Sequence, residues 1–95
     1  MPAEFDFQAA LMAVDERKRR SNERKFGAWK ELSDGGRRYW YEVAGRQGWT
    51  ARYFKEVDAE ENTTRLWQEI YNERGVLVEQ HIKYPVDAGH ERVEE

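Results

Sequence analysis

Three observations predict an α+β fold, an N-terminal helical region packed on a four-stranded antiparallel β-meander. Across residues 37–84 aromatic and β-branched side chains recur at period two, and the polar breaks between them are short and mostly carry Gly. Upstream, Phe7, Leu11 and Val14 fall at i, i+4 and i+7 with Met12 beside them, which is one face of a helix. The chain has 95 residues, enough for one modest core and not for two. The expected organisation is a single domain over residues 1–95, with a helical region at 1–36, the sheet at 37–84 and a polar tail at 85–95.

The helical region opens with Pro2 and a plausible N-cap at Asp6. Residues 15–25 then read DERKRRSNERK, a charged run without an apolar side chain. Acid-to-base pairs at i, i+4, such as Asp15 with Arg19 and Glu16 with Arg20, suit a solvated helix that is also basic. A solvent-facing connector is the simplest account, and electrostatic contact with RNA or an acidic partner is the functional one. Phe26, Trp29 and Leu32 recur at helical spacing, so a second amphipathic piece is expected to return to the sheet. Ser33, Asp34, Gly35 and Gly36 then stop it, because paired glycines accept the positive φ of a C-cap and turn.

The sheet's register follows from its turns. Arg46-Gln47-Gly48 and Glu73-Arg74-Gly75 each suit a three-residue hairpin loop with Gly in the left-handed region. The first pairs Glu42 with Arg52 and Trp40 with Phe54; the last pairs Trp67 with His81 and Tyr71 with Leu77. For the middle connection, the register that places Arg52 opposite Glu69, Glu56 opposite Arg65 and Phe54 opposite Trp67 joins unlike charges and aromatic rings. Each such pair contributes about 0.2–1 kcal/mol. One face then collects Tyr39, Tyr41, Val43, Trp49, Ala51, Tyr53, Val57, Leu66, Ile70, Val76, Val78, Ile82 and Tyr84 and is the expected core, covered by the Phe7, Leu11, Met12 and Val14 stripe. The other carries Trp40, Phe54, Trp67 and His81 between charged rows, an aromatic band of the kind that marks an interface. Cover by Phe26, Trp29 and Leu32 is the alternative use of that band.

Composition narrows the function. Charged residues reach 37%, but 14% are aromatic and cluster in the periodic stretch, which favours a folded domain over disorder. Cysteine is absent, which excludes disulfides and thiolate-held zinc and fits a cytoplasmic location. No apolar run approaches a membrane span. A net charge of −3 offers no global attraction to phosphate backbones.

Neither a nucleophile elbow nor a phosphate-binding loop occurs. His81 with Glu69 and Glu79, and Arg52 or Arg65 to receive developing negative charge, are the acid–base candidates, the composition of a small ribonuclease site. A His81 ring packed beside Trp67 is the simpler placement. Glu79 with His81, and His90 with Glu91, lack a metal-ligand pattern, so neither metal nor cofactor is expected. Trp40, Phe54 and Trp67 with Arg38, Arg52 and Arg65 have the makings of a base-stacking platform.

The segments GWTARYFKEVD, LWQEIYNERG and HIKYPVDAGH resemble small uncharacterised prokaryotic proteins, a domain of unknown function with a YPVD-type tail, and that resemblance implies a similar sheet and no activity. Helices followed by Arg-bearing strands are similar to ribonuclease toxins of bacterial toxin–antitoxin pairs, which are of this size and cut mRNA on the ribosome. This chain differs from them in opening with a helix and in being acidic. The resulting expectation is a binding or assembly module without catalytic residues, meeting a protein partner or a second copy through Trp40, Arg52, Phe54, Arg65, Trp67, Glu69 and His81. RNA binding or a toxin-like ribonuclease on the same face is the alternative.

Overall fold

The computed structural model describes residues 6–93 except the side chains of Phe7 and Leu11. Pro2 and the packing expected of Phe7 and Leu11 lie outside what it describes. The architecture is α+β, one N-terminal helix and a six-stranded antiparallel sheet, two strands more than expected. The helix α1 spans Phe7–Phe26; the strands are β1 Ala28–Glu31, β2 Arg37–Ala44, β3 Thr50–Val57, β4 Thr63–Tyr71, β5 Leu77–Tyr84 and β6 His90–Arg92. They lie side by side in chain order as a meander. Among the described residues no helix is long and apolar enough to cross a membrane.

Asp6 caps α1 by accepting the Ala9 N–H at 3.1 Å. Gly27 ends it at φ 80°, its N–H bonded to the Glu23 carbonyl, with Arg24 and Lys25 in the last turn opposite the negative end of the helix dipole. The charged run is therefore helix throughout. The second amphipathic helix does not form: past Gly27 the chain is β1, with Trp29 opposite Tyr39 on β2. Spacing of three suits a helix, but a left-handed residue stops the intrahelical ladder, and the backbone groups of these four residues pair with β2 instead.

Four loops share one construction, residues 32–36, 45–49, 58–62 and 72–76. In each, the first and fifth residues are bonded N–H to carbonyl, at 2.9, 2.7, 2.9 and 2.9 Å respectively. The fourth residue is left-handed each time: Gly35, Gly48, Glu61 and Gly75, at φ 88°, 79°, 63° and 77°. The stretch expected to stop a helix is thus the β1–β2 hairpin. Gly36 there has a second requirement, since a Cβ would lie 2.2 Å from the Val57 carbonyl oxygen.

The β2–β3 and β3–β4 registers are those the charge and aromatic pairs predict, with Trp40 opposite Phe54, Phe54 opposite Trp67, Arg52 opposite Glu69 and Glu56 opposite Arg65. The last hairpin departs from expectation. Tyr71 does face Leu77, but register shifts occur between Ile70 and Tyr71 and between Leu66 and Trp67, so Trp67 pairs with Ile82 and Gln68 with His81. A bulge inserts one residue, and one residue is enough to exchange the faces of all that follow. His81 therefore leaves the aromatic row, and Ile82 leaves the expected core for that row.

The sheet has a Tyr face (Tyr39, Tyr41, Tyr53) and a Trp face (Trp40, Phe54, Trp67). Helix α1 packs on the Tyr face through its C-terminal half, where Phe26 meets Tyr39 and Tyr41 at ring distances of 5.8 and 5.5 Å. Phe26, Tyr39 and Val57 form the buried cluster. Met12 and Val14, expected over the core, are exposed at 58% and 36%. Helix α1 packs mainly on β1 and β2 and reaches Lys55 of β3 and Glu61 through Asn22 and Arg19, and the molecule measures 66 × 24 × 22 Å. Its radius of gyration is 17.4 Å, whereas a compact chain of this length has about 12 Å. The tail adds β6 against β5, with His81 opposite His90.

Candidate functional site

Six of the seven residues singled out in the sequence share the Trp face: Trp40, Arg52, Phe54, Arg65, Trp67 and Glu69. Cross-strand pairing places the three rings in one row, and Phe54 and Trp67 stack at 4.7 Å with planes 5° apart. Arg65 lies over the Trp67 ring at 4.3 Å and Arg38 at 5.6 Å, which leaves Trp67 only 6% exposed. Arg38 is bonded to Glu56 at 2.6 Å and Arg52 to Glu42 at 2.5 Å. Glu69 accepts from Trp67 Nε1 at 3.2 Å and from the Tyr71 hydroxyl. This face largely satisfies itself: its cations hold carboxylates of the same chain or lie on its own rings.

His81 sits on the opposite side, so the ribonuclease-like set of His81 with Glu69 is divided between the two faces. Its Nε2 meets Asp87 Oδ1 at 2.5 Å. His90 Nδ1 meets Glu79 at 2.5 Å, and the two imidazoles lie 4.4 Å apart. Asp87 is held below its usual carboxylate range by the His81 bond first and the Gly89 N–H second. Among the described residues no three His, Cys, Asp or Glu side chains are grouped to hold a metal ion.

The polar centre of the molecule lies elsewhere, under α1. Glu61, 4% exposed, accepts from the Tyr39 hydroxyl at 2.9 Å, from Asn22 Nδ2 at 3.0 Å and from Arg19 Nε at 3.4 Å. Asn22 Oδ1 in turn accepts from Lys55 Nζ at 3.0 Å. Arg37 bonds Glu23 at 2.7 Å and reaches Glu31 at 2.8 Å, so helix, loop and β1–β2 hairpin are tied by charge. Burial opposes the charge on Arg37, but its bonds to Glu23 and Tyr39 and the charge of Glu31 raise its pKa. Burial, with Glu61 alongside, pushes the Tyr39 phenol up to about 12 against the pull of Arg37. Tyr71 rises to about 12 through burial and Glu69, with Arg52 opposing.

These shifts set an alkaline limit. A raised phenol pKa means that the fold favours the neutral form, so its contribution is complete below about 10 and lost as pH rises through about 12. Ultraviolet titration should show two of the five tyrosines ionising late and together with loss of circular dichroism. Ionisation of all five as ordinary phenols in a still-folded protein would contradict the burial of Tyr39.

Asn22, Tyr39, Lys55 and Glu61 were not singled out from the sequence as a group. A signal was available: aligning the four five-residue loops LSDGG, GRQGW, DAEEN and NERGV places Glu61 where the others carry Gly. A side chain kept at a left-handed position marks a residue held for what its side chain does.

No protein-family model matches this chain, and neither a curated protein nor a solved structure matches it.

Proposed function

We propose that the protein is an assembly module that pairs with a second copy of itself through the half of the Tyr face that α1 leaves uncovered. The observation that carries this reading is the exposure of Val43 at 46% and Trp49 at 39% on the face whose other half is the core. A hollow of about 420 Å³ opens beside Trp49, Ala51 and Ile70. A second hollow of about 420 Å³, bordered by Trp49, Glu79 and Arg92, continues this surface toward β6. The accessible surface is 7189 Å², against about 5,800 Å² for a compact chain of this mass. The excess is larger than the ~800 Å² per partner that a standard interface buries.

A second copy is the fitting occupant because a two-fold contact needs a patch that complements itself. The rim carries both signs, Arg46 and Arg92 with Glu73 and Glu79. Sedimentation equilibrium should return twice the 11.4 kDa chain mass, and Val43→Glu should return the single-chain mass with unchanged circular dichroism. A wild-type protein that stays at single-chain mass up to about 100 μM would overturn the reading, since that excludes a dissociation constant in the micromolar range.

A second reading keeps the contact on the Trp face, favoured by Trp40 and Phe54, which remain half-buried beside the covered Trp67. It predicts that Trp40→Ala, rather than Val43→Glu, separates the copies.

A further inference from the structure

The geometry points to a groove along the inner flank of α1 as a binding site for single-stranded nucleic acid, engaged through its phosphates. This proposal is independent of the assembly reading, which uses the far half of the same face. The groove comprises two hollows, each bordered by residues of α1 and of the sheet side. One, of about 500 Å³, is bordered by Arg17, Lys18 and Ser21 of α1 and by Lys55, Asn62 and Thr63. The next, of about 180 Å³, is lined by Lys25, Tyr41, Tyr53, Leu66 and Lys83.

Five cations thus border these two hollows, and among the described residues none of Arg17, Lys18, Lys25, Lys55 and Lys83 forms an ion pair. The arginines of the Trp face differ, since Arg38 and Arg52 already hold Glu56 and Glu42. The acids near the groove are occupied. Glu61 is consumed by Tyr39, Asn22 and Arg19, and Asp58 accepts the N–H groups of Glu60 and Asn62. Lys55 donates to Asn22, and its pKa is lowered by burial first and then by Lys25 and Lys18, with Glu61 opposing. Cations crowded in this way are relieved by a multiply charged anion.

Aromatic surface at the same place favours nucleic acid over a bare polyanion. Tyr41 and Tyr53 stack at 5.0 Å with planes 16° apart in the floor, and Lys83 lies over Tyr53 at 5.3 Å. Both rings are half-buried, and lysines that reach phosphate beside aromatic surface are the two parts that single-strand binding combines. The overall charge of −3 does not oppose this, because much of the acid is paired on the Trp face or lies in the tail.

The test is fluorescence anisotropy of the full chain with a labelled oligouridylate of about twelve nucleotides, within the span a small domain covers. Deoxythymidylate and inorganic polyphosphate of equal charge serve as comparators. Affinity should fall steeply with salt, and the double substitution Lys25→Gln with Lys83→Gln should lower the salt slope by about 1.4, about 0.7 for each lysine removed from a single strand. Lys30→Gln, on β1 and opposite Arg38, should leave it unchanged. Both oligonucleotides should bind more tightly than polyphosphate. The proposal is overturned by absent binding at low salt, by equal affinity for polyphosphate, or by loss of binding on Arg65→Gln while Lys25→Gln with Lys83→Gln has no effect. Circular dichroism of each variant establishes that the exposed lysines act on binding and not on folding.

Discussion

Replacing Glu61 by Ala is expected to destabilise the fold by about 3–5 kcal/mol, the cost of breaking a buried, hydrogen-bonded charge arrangement. The substitution strips the acceptor from Tyr39, Asn22 and Arg19 at once, and these three groups come from two separate elements. The partners left behind are buried or half-buried, so water cannot replace the carboxylate cheaply. Glu61→Gly separates the two roles of this position. It loses the same carboxylate but relieves a non-glycine residue of φ 63°, worth about 1 kcal/mol. Urea midpoints should therefore rank wild type above Glu61→Gly, and Glu61→Gly above Glu61→Ala. If Ala proves at least as stable as Gly, the backbone at 61 is not under the constraint inferred from the four parallel loops. A midpoint for Glu61→Ala close to wild type would mean that the network under α1 contributes little.

Trp67→Ala is expected to cost about 3–5 kcal/mol, the range for removing a large buried aromatic. Trp67 is 6% exposed although, among the described residues, α1 packs on the other face. Its cover is Phe54 on one side and the guanidinium groups of Arg65 and Arg38. Removing the ring uncovers all three and takes the Nε1 donor from Glu69. Trp67→Phe keeps an aromatic stack and loses the donor, so its loss should be no more than about half, near the 1–3 kcal/mol of an acceptor left unmet. Chemical denaturation checks both. A small effect of Trp67→Ala would mean that the arginines cover the ring without holding it.

The two outcomes bear on how a thin sheet holds together. With one helix over one end, few side chains are fully enclosed, and stability must come from pairs along each face. On the Trp face these are ring stacks closed by arginine; under α1 they are the bonds to Glu61. The far half of the Tyr face has neither device, which is why assembly is proposed there.

Much of the sheet could be read from the residues. Glu42 with Arg52, Arg52 with Glu69 and Glu56 with Arg65 specify register because a slip of one would bring like charges together or turn rings to the wrong face. Gly48 and Gly75 marked their hairpins because only a left-handed residue closes them at low cost. The placement of His81 was not legible. It depends on the extra residue at Val78 of β5, which no side chain announces and which reverses the faces of the residues that follow. The strand at Ala28–Glu31 was hidden for a different reason, since Phe26, Trp29 and Leu32 satisfy helical spacing until Gly27 is seen to end the helix.

The sequence by itself determined the α+β class, the helix with its cap at Asp6, the antiparallel order and the pairing of β2, β3 and β4, because these follow from neighbours in the chain and from side chains that must meet across a turn. Tertiary structure alone decided how far α1 extends over the Tyr face, that Glu61 would be buried beneath it, and which cations would lie unpaired beside Tyr53. Those outcomes depend on where a rigid helix crosses a twisted sheet, which is a balance among contacts distant in sequence and is written in no single stretch of residues.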